Sequence, residues 1–324
     1  MKIVGLITEY NPFHAGHLYH MQQARKLTGA DYCVILMSGN FVQRGEPAIF
    51  DKYLRTKTAL LAGADLVLEI PVAFSTASAH EFAAYGVALL SAIGVDAVVF
   101  GSECGQIEIL KQAAYALNHE SAEFQERLRK GLKAGLTYPQ ARAKALEMED
   151  TWASVLSSPN NILGIEYLRA AEDLHSPMEF YTISRKGSGY HEDTLADANF
   201  PSASAIRGII RNSLSKDKDL LDILASHLPA VTHPAYTGAV PVFVDDFSEL
   251  LNAAVLQMQA TFSIADLSPE LATRLAKPPY CPLSFEERIQ ALKTRQLTYT
   301  RVSRALLHLV LGMREEDISR WKDE

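Results

Sequence analysis

Short apolar runs and longer amphipathic stretches alternate along the first two thirds of the chain. Residues 2–8 (Lys-Ile-Val-Gly-Leu-Ile-Thr) form the first run, and Asn11-Pro12 follows as a turn signal. From about His17 the apolar positions Leu18, Met21, Ala24 and Leu27 recur at helical spacing. Residues 32–37 are the next run, closed by Ser38-Gly39-Asn40, and helical periodicity returns over about 51–62. Residues 65–70 read as a strand stopped by Pro71, 76–93 as a small-residue helix, and 96–100 as a strand stopped by Gly101. Helix is expected over about 105–148 and again over 160–174, where Asn160 or Asn161 suits the cap position. Glu179–Ser184 reads as the last strand and 202–212 as a helix start.

Strands of this length alternating with helices predict a parallel sheet with helical crossovers, an α/β fold. Their near-continuous apolar character predicts that both sheet faces are covered. After about 215 strand signals fade and helices dominate. The charged stretch Lys216-Asp217-Lys218-Asp219 is therefore the expected boundary between a domain 1–215 and a mostly helical C-terminal domain 216–324. Neither an internal repeat nor a low-complexity segment stands out.

Composition narrows the function classes. The chain has 324 residues, 48% apolar and 21% charged, which is ordinary for a globular protein and excludes a disordered or fibrous one. The net charge is −7, so contact with RNA would have to run through a local basic patch. The three cysteines, Cys33, Cys104 and Cys281, lie too far apart to suggest a disulfide framework or a Cys-based zinc site. The opening apolar run is too short for a signal-peptide core, and no stretch approaches the roughly 18–20 apolar residues of a membrane span. A cytoplasmic protein without a membrane partner is expected.

The chemistry concentrates where the first strand gives way to the first helix. Asn11-Pro12-Phe13-His14-Ala15-Gly16-His17 contains H-x-G-H in a strand–turn–helix context. A helix N-terminus directs free N–H groups and partial positive charge at whatever lies before it, and a phosphate is the usual occupant. Gly16 would let a nucleotide approach the backbone closely. His14 and His17, three apart, suit two imidazoles reaching one anion and stabilising charge as an α-phosphate is attacked. An H-x-x-H pair also suits a metal, and His20 extends the spacing, but no Cys or acidic ligand sits at a matching position. A second element, Ser202-Ala203-Ser204-Ala205-Ile206-Arg207, offers two hydroxyls and an arginine at a helix start. It reads either as a second phosphate grip or as an ordinary capped helix.

H-A-G-H after the first strand, with S-A-S-A-I-R after the last, resembles the nucleotidyltransferase superfamily. The stretches E-Y-N-P-F-H-A-G-H-L-Y-H (9–20), M-S-G-N-F-V-Q-R-G-E-P-A (37–48), F-G-S-E-C-G (100–105), S-P-N-N-I-L-G (158–164) and Y-H-E (190–192) are similar to the bacterial tRNA(Met) cytidine acetate ligase family. The resemblance implies a Rossmann-like nucleotidyltransferase sheet. It also implies that ATP and acetate give acetyl-adenylate, from which the wobble cytidine of elongator tRNA(Met) takes the acetyl group to become N4-acetylcytidine. The family's ATP site maps onto Ile7, Thr8, Glu9, Tyr10, Asn11, Pro12, Phe13, His14, Ala15, Gly16, His17, Leu18, Tyr19 and His20. It maps further onto Gly101, one or both of Asn160 and Asn161, and Arg185 with Lys186, while Ser202, Ser204 and Arg207 stand where the superfamily holds the outer phosphates. Mg2+ is expected as the cation bridging the ATP phosphates, although no acidic cluster marks a protein ligand for it.

The residue chemistry agrees. Gly101 ends a strand on the carboxyl edge of the sheet, where a ligand site and a plain turn are both consistent. Asn160 and Asn161 offer amides that could read a base or ribose, and Arg185 offers permanent charge. The loop Gln43-Arg44-Gly45-Glu46-Pro47 follows the second strand, so Arg44 could meet phosphate or tRNA with Glu46 as its pair, or the loop is a simple turn.

For tRNA, residues 277–304 carry Lys277, Arg288, Lys293, Arg295, Arg301 and Arg304 against only Glu286 and Glu287. A second cluster comprises Arg127, Arg129, Lys130, Lys133, Arg142 and Lys144. Either could make phosphate contacts or be a solvated helix face. Tyr280, Phe285 and Tyr299 are candidates to stack on a splayed base, Phe285 being the most core-like. Family members commonly continue past the helix around Thr300–Leu309, whereas this sequence stops at Glu324, as a truncated or a short member would. Two competing readings are a small-molecule adenylyltransferase of the same superfamily and a nucleotide-dependent assembly protein with a dead site. The helical region after 215 speaks against the first, and the intact histidine pair against the second.

Overall fold

Both faces of the central sheet are apolar because each strand alternates between two cores. A computed structural model describes residues 1–136, 138–145, 155–185, 202–214, 220–258, 263–277 and 281–323. The strands are β1 (Ile3–Thr8), β2 (Tyr32–Ser38), a short hairpin β3 (Phe41–Val42) and β4 (Glu46–Pro47), β5 (Leu66–Ile70), β6 (Ala97–Ser102) and β7 (Glu179–Ser184). The helices of the sheet region are α1 (Ala15–Thr28), α2 (Lys52–Leu61), α3 (Val72–Ser75), α4 (Ala79–Ala92), α5 (Ile107–Asn118), α6 (Ala122–Lys133), α7 (Tyr138–Ala145) and α8 (Pro159–Asp173). Helices α9 (Ala203–Leu214), α10 (Leu220–Ala225), α11 (Ser248–Gln257), α12 (Pro269–Leu275), α13 (Phe285–Leu292), α14 (Tyr299–Leu311) and α15 (Glu315–Asp323) follow.

Val4, Leu6, Cys33, Ile35, Met37 and Val99 point to one face, where Met21 and Ala24 of α1 and Ala59 of α2 close over them. The intervening Val34, Leu36, Val98 and Phe100 point to the other face, toward α4, α5 and α8. Each such side chain contributes roughly 1.5–3 kcal/mol when fully buried, so the two-sided sheet is the main stabilising element.

The five long strands are all parallel, in the order β5-β2-β1-β6-β7. The chain moves outward from β1 through β2 to β5, then returns to the far side of β1 for β6 and β7. The order reverses between β1 and β6, and open α/β sheets bind ligands outside the carboxyl ends of the strands at that point. The H-x-G-H loop leaves β1 there, and Gly101 lies at the end of β6.

The C-terminal helices have a core of their own, in which Leu251, Leu271, Phe285, Ile289 and Leu306 meet. Other contacts cross residue 215: Ile206 and Ile210 of α9 pack with Ile223, Leu224 and Tyr236, and all of these against Ile49 and Phe50. Ala265, Met313 and Ile318 join the sheet-side core. The charged stretch 216–219 expected as the boundary lies outside the described residues. Residues 43–47, expected as a loop, instead form the turn and second strand of a hairpin in which Val42 pairs with Glu46. Among the described residues, no helix is long and apolar enough to cross a membrane.

Candidate active site

The loop after β1 hides its aromatic residues, and its histidines are sheltered with them: His14 is buried, and His17 and His20 are partly buried. Tyr10 and Phe13 are buried with their rings edge-on, centroids 4.8 Å apart, so a ligand there meets backbone rather than these side chains. Ile7 and Leu18 likewise pack against the two sheet cores. Asn11 is buried and its Oδ1 accepts from the Ile49 N–H at 2.7 Å. Helix α1 starts at Ala15, two residues earlier than its apolar periodicity suggests, with His14 at the cap.

The two histidines cap that helix reciprocally. His14 Nδ1 accepts from the Gly16 N–H at 3.0 Å, and His17 Nδ1 accepts from the His14 N–H at 3.3 Å. The arrangement is a capping box in which imidazoles replace the usual hydroxyl and carboxylate. Because each Nδ1 accepts, each neutral ring carries its proton on Nε2. Among the described residues neither Nε2–H has a partner, which leaves two donors on rings stacked with centroids 3.7 Å apart and planes inclined at 27°. Gly16 is required for a reason the sequence did not show. A Cβ there would lie 2.8 Å from His14 Cε1, so the first atom needing the space is the cap itself rather than a ligand.

These histidines are held neutral. Burial, and then the nearby Arg185 guanidinium, push the His14 pKa down to about 4. Burial depresses His17 as well, helped by His14 and Arg185, and brings His20 down to about 4. Two neutral N–H donors offer polarity to an anion without the desolvation cost of a buried charge. Linkage makes this a stability statement. His14 protonates near 6.5 when unfolded but near 4 when folded, so its contribution is complete above pH 6.5 and is lost as the pH falls toward 4. At pH 5 roughly 2 kcal/mol is gone from this one histidine. Thermal melts from pH 7 to 4.5 should show a steep loss of Tm that becomes shallower in His14→Asn, where His17 and His20 still contribute; equal slopes in both proteins would refute the assignment.

The other expected residues converge from three elements. Arg185, just past β7, donates from Nη1 to Asn160 Oδ1 at 3.1 Å. Its aliphatic stem passes over Gly101, where a Cβ would stand 3.2 Å from Arg185 Cγ. Asn160 Nδ2 donates to Glu103 Oε1 at 2.6 Å, and the Asn161 N–H donates to Glu103 Oε2 at 2.8 Å. In return Asn161 Oδ1 accepts from the N–H groups of Glu103 and Cys104 at 3.0 and 3.1 Å. The two asparagines therefore differ. Asn161 is buried and locks the β6 turn to α8, whereas Asn160 shares the rim with Arg185. Neither caps the helix, which starts at Pro159 with Ser158 before it. Glu103, not picked out from the sequence, supplies the carboxylate at that helix start.

The second motif meets the first. Arg207 Nη1 donates to the Asn11 carbonyl at 2.8 Å and Nη2 to Ser204 Oγ at 3.2 Å, while Ser202 Oγ accepts from the Ala205 N–H at 3.2 Å. Ser202 is thus a conventional cap, and Arg207 ties the start of α9 to the histidine loop. Lys186 lies outside the described residues, as does Tyr280.

The basic stretch separates into two groups. Lys277, Lys293, Arg295 and Arg301 are exposed. Arg288 is not a surface cation: it is 6% exposed and donates to Asn252 Oδ1 at 2.6 Å and the Cys281 carbonyl at 3.2 Å. Arg304 is held by Asp266 at 3.0 Å. Phe285 is buried core, and the Tyr299 hydroxyl donates to Glu286. In the other cluster Arg142 pairs with the buried Glu166 at 3.4 Å and Lys130 with Glu126 at 2.8 Å.

A family model described as HIGH Nucleotidyl Transferase matches residues 1–324. The tRNA(Met) cytidine acetate ligase of Acetivibrio thermocellus is 39% identical over 330 residues, covering 98% of this chain and 79% of that protein. The ligase of the same name from Clostridium novyi is 41% identical over 320 residues, covering 97% of this chain and 79% of the relative. Among solved structures, Thermotoga maritima TmcAL bound with alpha-thio ATP superimposes with a TM-score of 0.86 at 33% identity, covering 100% of this chain and 78% of that one. The apo form of the same protein gives 0.87 at 34% identity, covering 99% and 78%.

Proposed function

The chain belongs to the HIGH nucleotidyl transferases and, within them, to the tRNA(Met) cytidine acetate ligase family, and from that premise we propose that it acetylates the wobble cytidine of elongator tRNA(Met) through an acetyl-adenylate. In the first step an acetate oxygen attacks the α-phosphorus of ATP, the α–β P–O bond breaks, and pyrophosphate leaves with the electron pair. In the second, the exocyclic N4 of cytidine attacks the acetyl carbonyl. The acyl–O bond breaks, AMP leaves, and N4 gives up one proton.

The paired His14 and His17 Nε2–H donors at the start of α1 are the observation that carries this reading. They lie outside the carboxyl ends of β1 and β6, with Arg185 near them and Arg207 bonded to the same loop. Donors fixed before reaction stabilise the charge that accumulates as the α-phosphate is attacked. Gly101, Asn160 and Arg185, which meet one another beyond the ends of β6 and β7, are suited to nucleotide binding, and Ser202, Ser204 and Arg207 to the outer phosphates. Mg2+ would arrive on the triphosphate, since the described residues hold no group of three His, Cys, Asp or Glu fit for a metal. The helical part 216–324, through the exposed Lys277, Lys293, Arg295 and Arg301, is the proposed tRNA side, and the cytoplasm the proposed compartment.

Deleting the gene should remove N4-acetylcytidine from elongator tRNA(Met), read by mass spectrometry of digested nucleosides. The purified protein should exchange pyrophosphate into ATP only when acetate is present. Unchanged acetylcytidine in a strain with no second acetylating enzyme would falsify the assignment. Exchange that requires a phosphorylated acceptor instead of acetate would point to a small-molecule adenylyltransferase.

A further inference from the structure

Two hydrogen-bonded seams flank the hairpin β3–β4, one on each side. Toward the C-terminal helices, the Ser303 hydroxyl, fully buried in α14, donates to the Gly45 carbonyl at 2.8 Å. Gly45 turns at φ +79°, and a Cβ there would sit 2.7 Å from both Arg304 Cα and Ser303 C, and closer still to Arg304 N. Backbone thus bears on backbone with no side chain between. Phe41 adds an edge-on contact to Phe247 within the helical core, centroids 5.8 Å apart.

Toward the nucleotide loop, the Gln43 N–H donates to Glu9 Oε1 at 2.8 Å. Just past β4, the Ile49 N–H donates to the buried Asn11 Oδ1 at 2.7 Å. Glu9 and Asn11 belong to the segment that ends in His14, and Asn11 also receives Arg207. Through the hairpin, α14 is connected to the loop that presents the imidazoles.

We propose that the hairpin is a strut through which α14 fixes the nucleotide loop, so that Gly45 and Ser303 are positioning residues for adenylate formation. Close-packed contacts transmit displacement rather than absorb it. A reacting group misplaced by about 1 Å can lose a hundredfold in rate. The helical part therefore serves the first half-reaction as well as carrying the tRNA side, although Ser303 need touch no nucleotide atom. The inference rests on the adenylation reading above, so nucleotide binding is measured beside the reaction.

The test uses the full chain without tRNA. Affinity for α,β-methylene ATP and acetate-dependent pyrophosphate exchange are compared in wild type, Ser303→Ala, Gly45→Ala and a core variant outside the helical core, Leu117→Ala of α5. The strut predicts about tenfold losses in affinity and in exchange kcat for the first two variants, with Leu117→Ala near wild type. Folded Ser303→Ala and Gly45→Ala proteins that bind and exchange like wild type would overturn it, as would equal losses in Leu117→Ala. If Gly45→Ala does not fold, Ser303→Ala decides. If wild type binds the analogue but does not exchange with acetate, the adenylation reading fails while the affinity comparison still decides the strut.

Discussion

A variant carrying His14→Ser with His17→Gln is expected to fold normally and lose adenylate formation by at least about a hundredfold. These side chains perform two separable jobs together. As a cap, the pair satisfies the Gly16 and His14 N–H groups. Ser followed three residues later by Gln is a standard way to satisfy the same helix start, so the capping function survives the exchange. As a donor pair, the imidazoles place Nε2–H groups beyond the reach of serine. Removing one preorganised donor to a developing anion typically costs about 10²–10³ in kcat. Alanine at both positions abolishes the donors and the cap together, and the lost cap adds about 1 kcal/mol of destabilisation. The measurements are far-UV circular dichroism with thermal melting, and acetate-dependent pyrophosphate exchange. A well-folded serine–glutamine variant with wild-type exchange would reduce both histidines to structural capping residues.

This split also shows what the sequence made legible. The parallel strands could be read because each is a short apolar run with covered faces, a signal local to the run. The histidine motif was legible because strand, turn and helix start are contiguous in the chain. What escaped depended on distant partners. Glu103 reads as one more acidic residue until α8 arrives to donate two N–H groups to it. Arg288 reads as part of a basic patch until Asn252, on another helix, withdraws it from solvent. The hairpin has strands of two residues each, too short for any alternation to register. Its role follows from the backbone of α14 pressing on Gly45, a contact across more than half the chain.

Arg55 is the most consequential residue of this hidden kind, and its removal should be the most damaging single change to the fold. In Asp51-Lys52-Tyr53-Leu54-Arg55 it reads as one cation on an amphipathic helix, yet it is 0% exposed. Its Nε donates to the Phe50 carbonyl at 3.0 Å, its Nη1 to the carbonyls of Glu9 and Ser38 at 2.6 and 3.1 Å, and its Nη2 to the Gly39 carbonyl. One planar guanidinium thus joins the chain leaving β1, the chain leaving β2 and the entry to α2. Burial pulls its pKa down to about 10, with Glu9, Asp51 and Glu69 opposing the fall, so it stays charged at neutral pH. The carbonyl dipoles and these carboxylates offset the desolvation of that charge. Arg55→Met keeps the volume but strands four carbonyls, and buried groups left without partners cost about 1–3 kcal/mol each before relaxation. A net loss of about 3–5 kcal/mol is expected, a large part of the 5–15 kcal/mol that typically holds a domain together. Arg55→Lys keeps the charge but cannot span the same carbonyls from one ammonium, and should lose about half as much. Because Glu9 is among the released partners, Arg55→Lys should also weaken ATP-analogue binding under conditions where it remains folded. Urea midpoints read the first effect and calorimetric titration the second. An Arg55→Met protein within about 1 kcal/mol of wild type would show that the four carbonyls find water or other donors, and that the mouth of the sheet does not depend on this one cation.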